Sequence, residues 1–455
     1  MMYIFRQSMK IYTNTIHFAS RNPALILSCK NTAVITSILK ETNTADNGFY
    51  FLGGYIMAFG ANIDHRKNNK RNHIIDLFRK HRVLSKVQAK QLSGYSMDTI
   101  LSVFDALIKE HIIAETDAEQ KPKGRKATFF TLNKDHTLYL GITFNQFGIY
   151  SSLVSFTHEI TENIITEYPA QITDRDMFLA QFNEHLHMLK DTIADRMDHI
   201  RAIGCSVPGA VDPETGILHS YVLMPFLKDI NFTPIISAVF PGIEIWTEHN
   251  IKSMTSYFLS SVDIVSKYNK ILYVSIRSGV ASGIICNGQI VTDNGELGHI
   301  RVSDEDKRCI CGKKGCLDLY FSYDSVSTAL MKYLNKDTKW IKINEMIGLY
   351  KSGHPQVREV IDSRLIYFAK AIHDAINFIG PDLVILSGKL LACYDNPVAE
   401  IRRIIDDIYP DSGLVMNYSR AELRFIDVGA EIAAQGICAH IINKQWSYTI
   451  EDPVD

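Results

Sequence analysis

The stretch Glu296-Leu-Gly-His299, followed by Cys309-Ile-Cys311-Gly-Lys-Lys-Gly-Cys316-Leu-Asp318, gathers one imidazole and three thiols within eighteen residues. Neutral imidazole and thiolate are the ligands that tetrahedral Zn²⁺ prefers, and Gly312 and Gly315 let the backbone turn tightly enough for the three thiols to converge. A Cys3His shell fills all four positions, so the zinc expected on His299, Cys309, Cys311 and Cys316 is structural. The plainer alternative is a set of unrelated buried cysteines. It fits poorly, because three of the 8 cysteines of the chain crowd into eight residues with glycines between them.

Around this loop the chain has 455 residues, 46% hydrophobic and 22% charged, which is enough for about three domains of usual size. Its net charge of −2 is unevenly spread: residues 61–135 carry 15 Lys and Arg against 9 Asp and Glu, so a basic module precedes an acidic body. Such a module is suited to phosphates and the body is not. Cys29, Cys205, Cys286, Cys393 and Cys438 show no framework spacing, which points to free thiols and a cytoplasmic location. The uncharged run Phe49 to Ile63 is shorter than the roughly 20 residues of a spanning helix, so no membrane anchor is expected. Residues 1–56 show neither a signal-peptide core nor a repeat; we expect Met57 to be the biological start and 1–56 to be an extension.

Residues 57–136 read as a winged helix-turn-helix. His73 to His81 places Ile74, Ile75, Leu77 and Phe78 on one helical face, and Ser85 caps a second helix carrying Val87, Ala89 and Leu92. Gly94 supplies the turn, and Ser96 caps a third helix with Ile100, Val103, Phe104 and Leu107 inward. That leaves Ser96, Met97, Asp98, Thr99, Leu101 and Ser102 nearer the open side, as in a recognition helix. Extended pieces at His111 to Ala114 and Thr128 to Leu132 flank a basic loop with Lys123, Arg125 and Lys126, which reads as a wing reaching phosphates or a minor groove. A three-helix bundle with a solvated loop is the other reading. With Asp98 and Asp105 on the recognition helix and no Arg, base contact by Ser, Thr or apolar groups is expected over Arg to guanine.

From about Leu138 strands alternate with amphipathic helices, the pattern of a mostly parallel sheet covered on both faces. Tyr139 to Phe144 and Ile149 to Phe156 read as an opening hairpin. Ile203 to Gly209, Ile243 to Glu248, Ile271 to Ile276 and Leu383 to Gly388 read as later strands.

The loop signature resembles that of the ROK family of sugar kinases and sugar-responsive repressors, in which Glu-x-Gly-His precedes Cys-x-Cys-Gly-x-x-Gly-Cys-x-Glu; here only the last position departs, as Asp318. The resemblance runs from about Arg71 to the C-terminus and lies with the repressor branch that includes the xylose and N-acetylglucosamine repressors. It implies an α/β chain: a winged helix-turn-helix, then a two-lobed actin-like (ribonuclease-H-like) sugar-kinase fold over 137–455, with the zinc loop at 299–316. Where the kinases carry Asp-x-Gly-Gly-Thr for phosphate, this chain has Thr143-Phe-Asn145-Gln146-Phe147, and a second Gly-Thr-Gly turn has become Arg277-Ser278-Gly279. Their catalytic Glu-Asn-Asp is Glu248-His249-Asn250, and an amide cannot take a proton from a sugar hydroxyl. His249 is expected to point away, because neighbours on a strand face opposite sides. No catalytic residue and no use of ATP are therefore expected.

By the same resemblance a sugar would meet Gly209, Asn250, Glu296, His299 and Asp318, with the metal on one nitrogen of His299 and a hydroxyl on the other. The expected protein is a repressor binding operator DNA and a sugar effector as a homodimer or homotetramer. The alternative is an active hexose kinase fused to a helix-turn-helix. A zinc-stabilised scaffold that senses no sugar is a third possibility.

Overall fold

Ser85 and Ser96 each stand in extended backbone with the hydroxyl facing the amides of the next turn, so each starts a helix. Ser85 forms a full capping box: its Oγ accepts from Gln88 N at 3.2 Å, and its own N–H donates to Gln88 Oε1 at 2.8 Å. The computed structural model describes residues 17–18, 27–28, 49–52, 55–58, 60–116, 128–212, 214–334, 341–410 and 420–447. The chain divides into two compact units, one of Met1–Leu132 with Trp446–Asp455 and one of Asn133–Gln445.

In the first unit, α1 (Gly60–His81), α2 (Lys86–Ser93) and α3 (Met97–Lys109) join a sheet of β1 (Val83–Ser85), β2 (Ile113–Thr116) and β3 (Phe129–Leu132) in the order β1-β3-β2, all antiparallel. Helix α1 begins well before His73, at Gly60; the polar stretch ahead of His73 shows no apolar period by which its helix could be read. Gly94, at φ 72°, closes α2 in the left-handed conformation. The core is Ile74, Ile75, Phe78, Ala89, Ile100, Phe104, Leu107 and Phe130, with Phe104 edge-on to Phe130 at 5.3 Å. Four short strands, His17–Phe18, Leu27–Ser28, Phe49–Leu52 and Tyr55–Ala58, form a further antiparallel sheet, and Met57 lies in the last of them. The expected wing residues Lys123, Arg125 and Lys126 lie outside the described residues.

The second unit repeats one plan. Strands β4 (Leu138–Phe144), β5 (Gly148–Ser155), β6 (Ile160–Glu167), β7 (Ile200–Val207) and β8 (Glu244–His249) form a sheet in the order β6-β5-β4-β7-β8. Strands β9 (Lys270–Ile276), β10 (Val280–Cys286), β11 (Gln289–Gly295), β12 (Leu383–Ser387) and β13 (Glu422–Phe425) form another, β11-β10-β9-β12-β13. In both, three strands meander antiparallel and two more run parallel to the first. This corrects the expectation of a mostly parallel sheet: the turns after β4, β5, β9 and β10 are too short for a helical crossover, and short turns force antiparallel neighbours.

Helices α4 (Arg175–Thr192) and α5 (Phe232–Val239) cover one face of the first sheet, and α7 (Tyr323–Leu334), α8 (Ile343–Lys351), α9 (Pro355–Ile379) and α10 (Pro397–Ile408) one face of the second. The strands alternate accordingly: Leu272, Val274 and Ile276 face α7 to α10, while Ile271 and Tyr273 face the opposite layer. That layer is α6 (Asn250–Leu259) and α11 (Ile432–Gln445), each coming after the last strand of its sheet. The two helices approach to backbone contact at Gly436, where a Cβ would come within 1.9 Å of the Ser253 carbonyl oxygen.

Candidate metal and ligand site

Strand β11 ends at Gly295, and Leu297–His299 then makes one 3₁₀ turn that sends Glu296 and His299 to the same side. The loop beyond folds back through single bridges at Arg301 with Cys316 and at Arg308 with Lys314. Cys309 Sγ lies 3.6 Å from His299 Nδ1, Cys311 Sγ lies 3.6 Å from Cys316 Sγ, and the four ligand atoms all fall within 4.8 Å of one another. Tetrahedral zinc with Zn–S near 2.3 Å and Zn–N near 2.0 Å sets ligand edges of about 3.5 to 3.8 Å, so this set can hold such an ion. Burial pushes the Cys316 thiol up to about 12, whereas the Lys313 N–H holds the exposed Cys311 below its ordinary value. A bound cation favours the thiolate at each, since only the deprotonated sulfur is a ligand.

With Nδ1 turned to the cysteines, His299 points Nε2 at Glu296 Oε2, 3.7 Å away. Asp318 Oδ2 lies 3.8 Å from His299 Nδ1, and Asp318 Oδ1 accepts from Val280 N–H at 2.7 Å. The glycine of Glu-x-Gly-His has its reason here: a Cβ on Gly298 would sit 2.1 Å from Asp318 Oδ1. Burial raises the Asp318 carboxyl, and the Val280 N–H and His299 oppose it.

Strand β8 ends at His249, and Asn250 is the first residue of α6. The expectation that His249 points away from Asn250's side rested on both belonging to one strand; the backbone changes to helix between them, so strand alternation does not relate the two side chains. The His249 ring is buried beside the Gly209 backbone, and burial holds its pKa below the ordinary value against the pull of the Glu296 and Glu248 charges. Its Nδ1 is buried without a hydrogen-bond partner among the described residues. Sequence reasoning left His249 in doubt as a pocket residue, and its one signal was its place in the Glu-His-Asn triplet. Gly209, at φ 91°, comes just after β7, while the Asn250 side chain shows no hydrogen bond to Glu296, His299 or Asp318 among the described residues.

The turns after β4 and β9, expected from the resemblance to match the kinases' phosphate loops, carry side-chain hydrogen bonds of their own. Asn145 Oδ1 accepts from Phe147 N and Gly148 N, Thr143 Oγ1 donates to the Ser206 carbonyl, and Gln146 Nε2 donates to Ser278 Oγ at 3.3 Å. Arg277 is drawn off to the Gly429 carbonyl at 2.7 Å. In the first unit, α3 exposes Asp98, Leu101, Ser102 and Asp105, half-buries Met97 and Thr99, and begins at the exposed Ser96. Lys86 sits 3.6 Å from Asp105 and offsets part of its charge.

Two sheets of one plan, with a Cys3His loop after the third strand of the second, follow a three-helix unit in the chain. Residues 160–413 match the ROK family, and the chain belongs to it. It is 22% identical over 357 residues to the xylose repressor of Bacillus spizizenii, covering 73% of this chain and 86% of that protein. To the DNA-binding transcriptional dual regulator NagC of Escherichia coli it is 22% identical over 348 residues, 72% and 82% of the two chains. Among solved structures, a ROK family transcriptional regulator described as a homolog of the E. coli MLC protein matches with TM-score 0.66 at 21% identity, over 84% of this chain and 97% of that one. A ROK hexokinase from Thermus thermophilus matches with TM-score 0.53 at 16% identity, over 68% of this chain and 100% of the other. These two likenesses show the fold. No helix among the described residues is long and apolar enough to cross a membrane.

Proposed function

We propose that the protein is a sugar-responsive transcriptional repressor: the first unit binds operator DNA, and the second binds a sugar without phosphorylating it. The observation that carries this reading is the grouping of Glu296, His299 and Asp318 on the metal loop, within 3.7 and 3.8 Å of one another through His299. Carboxylates that accept pairs of hydroxyl protons, together with an imidazole, suit a pyranose ring. Gly209 and Asn250 complete the proposed pocket. Zinc on His299, Cys309, Cys311 and Cys316 would fix the His299 ring and leave Nε2 for a hydroxyl.

Two features support loss of phosphoryl transfer. Asn250 replaces the carboxylate that would accept the hydroxyl proton, and Gln146 bridges to Ser278 between the two turns that would carry phosphate. The likeness to the xylose repressor and to NagC supports the regulatory role. The DNA-contacting residues would be Ser96, Met97, Asp98, Thr99 and Ser102 of the recognition helix and Lys123, Arg125 and Lys126 of the wing. Modules of this kind usually read paired half-sites, which calls for two copies of the chain on one operator.

Calorimetric titration with xylose, glucose, N-acetylglucosamine and N-acetylglucosamine 6-phosphate tests the pocket. One of these should bind, and Glu296→Ala should abolish the heat. ATP turnover with the sugar that binds would restore the kinase alternative. Arg125→Ala with Lys126→Ala should weaken operator binding across sequences and reduce its salt dependence; unchanged binding at all salt concentrations would remove the wing. The bound sugar is expected to relieve repression, because a ligand that favours one arrangement of the second unit shifts the spacing of paired recognition helices.

A further inference from the structure

Helix α9 of the second unit starts with Pro355, whose missing N–H costs nothing there, and is closed by Gly380 at φ 62°. Its inward stripe is Val357, Ile361, Leu365, Phe368, Ile372 and Ile376, spaced three and four apart and buried in the core under the second sheet. The outward side of its second half also carries large apolar groups. Ile366 is 38% exposed and Phe378 93%, with the half-buried Lys370 and the exposed Asp374 at the turns between them. A single exposed apolar residue is common on a protein surface, and by itself Phe378 would call for no explanation.

The order of its neighbours supplies one. Ile366 and Phe378 stand at equal distances before and after Ile372, and so do Tyr367 with Asn377 and Lys370 with Asp374. Each pair joins groups that suit each other: apolar with apolar, phenol with amide, cation with anion. A second copy of α9, laid antiparallel about Ile372, therefore sets Phe378 on the partner's Ile366 and Lys370 on the partner's Asp374, and two-fold symmetry makes each contact twice. Ile366, Lys370, Asp374 and Phe378 also form one i, i+4 ridge, and two such ridges interleave when helices cross at about −50°. The charges are available for this. Lys370 stands one turn before Asp374 yet forms no ion pair with it among the described residues, Lys ahead of the acid being the weaker order within a helix, and the Asp374 side chain is 65% exposed beside His373.

We infer that this face of α9 is an interface between two copies of the chain, related by a two-fold axis over Ile372. It supplies the pairing that the operator reading calls for, and it stands without that reading, because the contact lies within the second unit and involves neither DNA nor sugar. The apolar ends exclude water, and the two ion pairs between them fix the antiparallel register, since a parallel arrangement would set Lys370 on Lys370 and Asp374 on Asp374.

Sedimentation velocity on the full chain, with no operator or sugar present, tests the interface separately from the DNA-binding and effector readings. The native chain should associate at micromolar concentrations. Phe378→Arg should raise the dissociation constant by about thirtyfold or more, through loss of an aromatic anchor and entry of two charges. Lys370→Glu and Asp374→Lys should each weaken association by about tenfold, because an isologous contact holds every substitution twice. Mixed, these two variants should pair with each other, one bringing only anions to the ridge and the other only cations; an ion pair confined to one helix gives no such recovery. All the substituted positions lie off the buried stripe of α9, so circular dichroism should match the native chain. A native chain that stays monomeric, an association that Phe378→Arg leaves intact, or single variants that do not recover on mixing would each overturn the interface.

Discussion

The two sheets of the second unit share strand order and direction, yet they diverge after the third strand. Beyond β6 the chain reaches α4 within a few residues and buries Phe178, Phe182, Leu186 and Leu189. Beyond β11 it makes the long loop from Glu296 to Asp318, rich in charge, with Ile310 at 74% exposure on its tip. A loop with so little apolar surface to bury cannot be held by a core of its own, and a metal can supply that energy instead. One plan therefore carries two solutions: hydrophobic packing in the first half and, in the second, a His and three Cys that can hold a metal, where site groups must remain polar and reachable.

The largest expected effect comes from removing the coordination. Cys316→Ser should reduce metal content to near zero by elemental analysis and lower sugar affinity by about a hundredfold or more through release of His299, while β4 to β8 keep their exchange protection. Equal loss of protection in both sheets would show that the halves are not independent. Gly298→Ala comes next. The added methyl collides with Asp318 Oδ1, and such overpacking costs about 1–3 kcal/mol, seen as a weaker sugar titration with metal content retained.

The first half has its own point of failure. His185 is buried between Ser151 Oγ at 2.8 Å and Thr166 Oγ1 at 2.7 Å, and burial lowers its pKa to about 4. Because the folded value lies below the unfolded one of about 6.5, the stability this group contributes is present above that pH and is lost as pH falls toward 4, by about 2 kcal/mol at pH 5. Urea midpoints at pH 7 and pH 5 should show the loss in the native chain and a smaller one in His185→Gln. The smallest effect is expected where the halves meet: Gln146→Ala removes its bond to Ser278 and should cost no more than about 1 kcal/mol, leaving zinc and sugar binding intact.

How much was legible beforehand depends on the range of the interactions. Ser85, Gly94 and Ser96 act on amides within one turn, so caps and turn could be read directly. The four metal ligands lie close in sequence and converge by local turns at Gly312 and Gly315, at φ 87° and 71°. The hairpins of each sheet were readable only in part, because period-2 alternation identifies a strand and says nothing of its neighbour.

From the sequence by itself came the family, the Cys3His set, the winged-helix pattern and the expectation that Asn250 stands where the kinases carry a carboxylate. Tertiary structure alone decided that the His249 ring is buried at the end of β8, that Asp318 is held by Val280 and crowds Gly298, and that Trp446 belongs with Arg71 and Arg79. Each of these depends on the chain changing backbone conformation at a strand end or returning across many residues, and neither a period nor a motif encodes the partner that such a return will meet.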